Sequence, residues 1–149
     1  MSRTLARLFT GLVVSSAIAV AAPAFMHAAA ARRDHVASIT GKDGRKVTGQ
    51  AMARPTADGT GTDITLSLDG DTPGAVRPWH VHTGSCAKSG GVVGSARAYT
   101  ALTVDAKGHA SGKATIAVPL ADTSTYYVNI HDAASAMGII VACGDLTRR

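Results

Sequence analysis

The chain has 149 residues, enough for one domain of ordinary size, with 15 basic and 10 acidic residues and six histidines. All ten acids are aspartates, a residue suited to turns and strand ends, and the absence of glutamate points away from a helical protein. The basic residues are scattered, with short pairs at Arg32-Arg33 and Arg148-Arg149 and no basic stripe interleaved with aromatics, so the composition argues against a nucleic-acid-binding protein.

The amino terminus reads as a targeting segment. Arg3 and Arg7 precede the uncharged run "LFTGLVVSSAIAVAAPA" from Leu8 to Ala24, followed by alanine-rich sequence. A basic start, an apolar middle and small residues at the end make a secretory signal peptide over residues 1–30. The run is short for a membrane span, which needs roughly 20 residues, so cleavage is expected over an uncleaved anchor. Ala28 and Ala30 fit a small-x-small site after Ala30, and Ala22 and Ala24 offer an earlier one. Cleavage after Ala24 would leave His27 third in the chain, a terminal Cu(II) chelate. There is no twin arginine, so general export to a periplasm or the exterior is expected, with no membrane association after cleavage.

The domain then covers residues 31–149. From Val36 onward short strand candidates alternate with turn chemistry. "HVASIT" meets the turn "GKDG" and continues into "RKVTGQAMARP"; after "TADGTGT", Ile64, Leu66 and Leu68 alternate with Thr65 and Ser67, the pattern of a half-buried strand. "DTPG" turns the chain into "RPWHVHTG", and a glycine-rich loop follows. "YTALTVDAKGHASGKATIAVPL" reads as a hairpin about the turn "DAKG", and "TYYVNIHD" and "GIIVACGDL" complete the set. About eight strands at this spacing predict an all-β sandwich or Greek-key barrel.

Export sets the chemistry of the cysteines. Cys86 and Cys143 are the only two, they lack a C-x-x-C spacing, and an oxidising compartment favours pairing them as a structural disulfide. The chain-entropy contribution of such a link is about 4 kcal/mol.

The histidines carry the functional signal. Residues i and i+2 of a strand share a face, so Trp79 and Val81 are expected in the core while His80 and His82 face the other way together. In "TYYVNIHD" the apolar set is Tyr126, Val128 and Ile130, leaving Tyr127, Asn129 and His131 on the non-core face. Two imidazoles from one strand and one from another can form a metal claw; equally, such residues can sit on a wet surface without a ligand. His109 is expected in a surface turn and His35 in a mobile terminal stretch. Met52 and Met137 read as core or rim residues, and Asn129 and Asp132 as possible partners of the imidazoles. No catalytic residue is assigned, and no serine lies in a nucleophile-elbow pattern.

"WHVH" followed by a cysteine, "DAKGHASG" before a strand, "VNIHD" and a closing "ACGDL" resemble, in that order, the copper/zinc superoxide dismutases. The resemblance runs from about Val36 to Leu146 and rests on those four anchors. It implies an eight-stranded Greek-key β-barrel, one copper ion held by His80, His82 and His131, and a disulfide between Cys86 and Cys143. The chain is also similar to small exported H-x-H-x-G proteins related to the chordin-type (CHRD) domain.

The departures narrow the expectation. The interval "TGSCAKSGGVVGSARAY" has no histidine or aspartate, so the family's bridging and zinc ligands are missing and zinc is not expected. The loop after His131 shrinks to "DAASAMG", and Ile140 stands where the family carries its active-site arginine; Lys88 and Arg97 are the nearby cations. Three functions follow from this reading: an exported copper-binding protein for sequestration, delivery or tolerance; a copper-only dismutase acting on superoxide at an open site; and a metal-free interaction barrel.

Overall fold

The computed structural model describes residues 33–149. The expected signal peptide, both cleavage positions, His27 and the first residues of the 31–149 domain lie outside the described residues. Among the described residues no helix is long and apolar enough to cross a membrane.

The described residues are all-β apart from one short 3-10 turn at Ala96–Ala98. Its strands are β1 (His35–Gly41), β2 (Thr48–Pro55), β3 (Thr62–Asp69), β4 (Val76–Arg77), β5 (Trp79–Gly84), β6 (Ser89–Val92), β7 (Leu102–Thr103), β8 (Ala110–Ile116), β9 (Tyr126–His131) and β10 (Ile140–Arg148). Eight form one curled antiparallel sheet in the order β6-β5-β9-β10-β1-β2-β3-β8, and β4 pairs with β7 in a small second ladder. The pairings β5–β9, β10–β1 and β3–β8 join strands distant in sequence, as the expected Greek-key, barrel-like architecture requires.

Period-two patterning builds the core. Along β3, Thr62, Ile64, Leu66 and Leu68 are buried and the residues between them are exposed. Trp79, Val81, Val128, Ile130 and Val141 have no exposed surface. β5 and β8, near opposite ends of the sheet, approach each other: a Cβ on Gly112 of β8 would lie 3.3 Å from Trp79 Nε1 of β5, whose N–H donates to the Thr100 carbonyl at 2.8 Å.

Two expectations are corrected. The "DAKG" turn exists, with Asp105 Oδ1 accepting the Lys107 and His109 amides, but β7 and β8 do not pair with each other. β7 pairs with β4 and β8 with β3, because the turn spans the gap between the two sheets. The glycine-rich loop also contains strand β6, which pairs with β5. Pro78 separates β4 from β5: it has no N–H for a ladder, and its neighbours pair with different strands.

Cys86 and Cys143 form the expected disulfide, with Cα atoms 5.9 Å apart, and no free cysteine remains among the described residues.

Candidate metal centre

The site begins with the register of two interior strands. In the β5–β9 ladder His80 lies opposite Asn129 and His82 opposite Tyr127, and the His131 amide donates to the Pro78 carbonyl at 2.8 Å. All three imidazoles therefore project from the non-core face within one short stretch of the sheet. That face is not the wet surface the alternation alone implies. His80 and His131 are 8% and 5% exposed, and Tyr127 is buried with them. The neighbours are local: Tyr99 packs edge-on against His80, and the loop from Asp132 to Ile139 brings the Met137 carbonyl onto His131.

Gly84 allows that hairpin. It adopts φ of 101°, and a Cβ there would lie 2.3 Å from the Lys88 carbonyl, so only glycine fits the turn that returns β6 to β5. At its tip the Cys86 amide donates to Asp145 Oδ1 at 2.7 Å, giving Asp145 a capping role beside the disulfide.

Backbone carbonyls orient two of the three rings. His82 Nδ1–H donates to the Gly90 carbonyl at 3.0 Å, and His131 Nδ1–H donates to the Met137 carbonyl at 2.6 Å. A carbonyl can only accept, so each ring carries its proton on Nδ1 and turns an Nε2 lone pair inward. His131 Nε2 lies 3.3 Å from His80 Nδ1, close to the roughly 3.4 Å between two nitrogens bound to one tetrahedral metal at 2.0–2.1 Å. One nitrogen from each ring falls within 4.8 Å of the others, so a bound ion would draw the widest pair together by up to about 1.4 Å. His82 Nε2 is buried with no hydrogen-bond partner. An unmet buried acceptor costs about 1–3 kcal/mol, which an ion accepting its lone pair would remove.

The electrostatics suit neutral imidazoles. Burial, then the like charges of His131 and His82, push the His80 pKa down to about 4. His131 is also lowered by burial, against the opposing effect of its bond to Met137. Both rings are therefore in the ligand form at neutral pH. Tyr127 stacks on His82 with ring centroids 5.2 Å apart, and Tyr99 meets His80 edge-on at 5.3 Å.

Arg77 supports the site from the core side. Its guanidinium, 5% exposed, clasps Asp71 through two bonds of 2.8 Å and reaches both the carbonyl and Oδ1 of Asp132 at 2.7 Å. Burial pushes the Asp71 carboxyl upward, but the Arg77 hydrogen bonds prevail and hold it below its ordinary value. Asp132 thus anchors the chain immediately after His131 through Arg77, not by touching an imidazole. The sequence contains the signal for this: Arg77 shares the i, i+2 face of Trp79 and Val81, so a core-facing cation needed a buried anion.

The remaining candidates separate clearly. His109 is exposed in its turn and pairs with Asp69. His35 is not in a mobile stretch: it is 3% exposed at the start of β1, packed edge-on against Tyr126, because β1 is paired on both sides. Lys88 and Arg97 are exposed, and Ile140 lies opposite His131 in the β9–β10 ladder. A concavity of about 950 Å³ lies along β1, β2, β3 and β10; its lining includes the disulfide but none of the three histidines.

Fold and site define an all-β, disulfide-linked protein with a three-histidine cluster able to hold a metal ion. Against known proteins, the chain matches no family model and no curated protein.

Proposed function

We propose that this is an exported copper-binding protein of the superoxide dismutase-like type, holding one copper ion through His80, His82 and His131 for sequestration, delivery or tolerance. The observation that carries the reading is the paired orientation of His82 and His131. Their Nδ1 protons are bound to the Gly90 and Met137 carbonyls, His131 Nε2 lies 3.3 Å from His80 Nδ1, and His82 Nε2 is buried with no hydrogen-bond partner. The donor set fits copper: imidazole suits it, and three neutral nitrogens match the trigonal preference of Cu(I) or a Cu(II) ion completed by water. When bound, copper would supply one-electron redox chemistry at the rim of the barrel. The protein's own residues orient the ligands, and burial keeps His80 and His131 unprotonated. The disulfide supports the expectation of an oxidising compartment.

Binding is favoured over superoxide turnover by what surrounds the site. Ile140, opposite His131 in the β9–β10 ladder, is apolar, and the nearby cations Lys88 and Arg97 are exposed, where solvent screens their charge. Loading the disulfide-bonded protein with copper tests the reading. One copper per chain is expected, lost on replacing His80, His82 or His131 by alanine, with superoxide decay no faster than that of weakly chelated copper. Failure to bind copper at micromolar concentration would overturn it.

A further inference from the structure

The loop between β9 and β10 is built mostly from small residues, with Met137 and Ile139 as its large apolar side chains. Ala133, Ala134, Ser135, Ala136 and Gly138 surround Met137. Two turns fix its path, with the Ala136 amide on the Ala133 carbonyl at 2.9 Å and the Ile139 amide on the Ala136 carbonyl at 3.0 Å. The Met137 backbone is already tied to the site through its carbonyl on His131. Its side chain is nevertheless left 36% exposed, where burial contributes little. Methionine is unbranched, has three rotatable bonds and ends in a polarizable thioether, so it can sweep across the adjoining ring. A Cβ on neighbouring Gly138 would meet nothing within 4 Å, so the chain beside Met137 is not closely packed.

No other side chain of this loop competes as a donor. The Asp132 carboxylate is engaged by Arg77. Met52, the other methionine among the described residues, lies in β2 between Val36 and Thr65, away from the histidines. A thioether added to three neutral imidazoles gives a donor set without negative charge. Such a set leaves the full charge of the ion uncompensated, which favours a monovalent ion over a divalent one, and soft thioether donors select Cu(I).

We propose that Met137 is a fourth metal ligand, its thioether closing over a Cu(I) ion held by the three histidines. This rests on the three-histidine copper reading and adds a residue and an oxidation state to it. The test is copper K-edge X-ray absorption on the Cu(I)-loaded, disulfide-bonded chain, prepared without oxygen as wild type, Met137→Leu and Met52→Leu. A sulfur scatterer beside the imidazoles is expected in wild type and Met52→Leu. Met137→Leu should show nitrogen scatterers only and bind Cu(I) about tenfold more weakly in a chelator competition. Nitrogen-only spectra in wild type, with affinity unchanged in Met137→Leu, would overturn the thioether ligand and leave the three-histidine site standing. A wild-type chain that takes up no Cu(I) would overturn both.

Discussion

The carbonyl of Gly90 holds Nδ1 of His82 at 3.0 Å, across the hairpin that the Cys86–Cys143 disulfide ties to β10. A residue of the neighbouring strand thereby fixes which nitrogen of a candidate ligand is free. The site is consequently oriented before any ion arrives, and its cost is a buried nitrogen without a partner.

That cost gives a first prediction. Replacing His82 by phenylalanine removes the unmet nitrogen and keeps a ring against Tyr127. The metal-free variant should unfold in urea within about 1 kcal/mol of wild type, while metal affinity falls by at least about a hundredfold. A large loss of metal-free stability would show that His82 serves the fold and not a ligand.

The depressed imidazole pKa values predict an acid-labile metal-free protein. In the unfolded chain His80 takes up a proton near its ordinary 6.5, whereas in the folded chain it does so near 4. The unfolded state therefore binds more protons between these values, and stability falls as pH drops through that window. His131 shifts the same way and adds to the fall. Urea midpoints measured from pH 7 to 4 should decline, and the decline should shrink when His80 is replaced by glutamine.

Arg77 offers a test of the support beneath the site. Arg77→Met leaves the Asp71 carboxylate buried and unpaired and should cost about 3–5 kcal/mol. Combining it with Asp71→Leu, which removes the stranded charge, should recover much of that loss; equal losses in the single and double variants would exclude a buried pair as the cause.

Reduction, or replacement of both cysteines by serine, should cost about 4 kcal/mol through chain entropy. The same change frees the β5–β6 hairpin, so metal affinity should fall even where the domain stays folded, as read by far-UV circular dichroism and a chelator competition.

Much of this was legible in the sequence, for identifiable reasons. Alternation at Ile64, Leu66 and Leu68 and at Trp79 and Val81 reports burial directly, because strand side chains alternate in space. The same rule places His80, His82 and His131 on one face and brings them together once β5 and β9 pair. Alternation cannot say what covers that face, so the burial of His131 and Tyr127 was hidden. Nor can it assign partners: β7 and β8 flank a good turn yet pair elsewhere. His35 sits near the start of the described chain but is locked between β2 and β10, a consequence of long-range pairing. Arg77 lies two residues before Trp79 on the same buried face, so the alternation that puts Trp79 in the core also carries the guanidinium inward to Asp71.

The most direct test of the central claim is an anaerobic Cu(I) titration of the disulfide-bonded protein, followed by histidine side-chain nitrogen NMR. The account predicts saturation at one equivalent, with the Nε2 signals of His82 and His131 and the Nδ1 signal of His80 shifting together while His35 and His109 stay fixed. Saturation without movement of those three rings, or no saturation at micromolar copper, would contradict it.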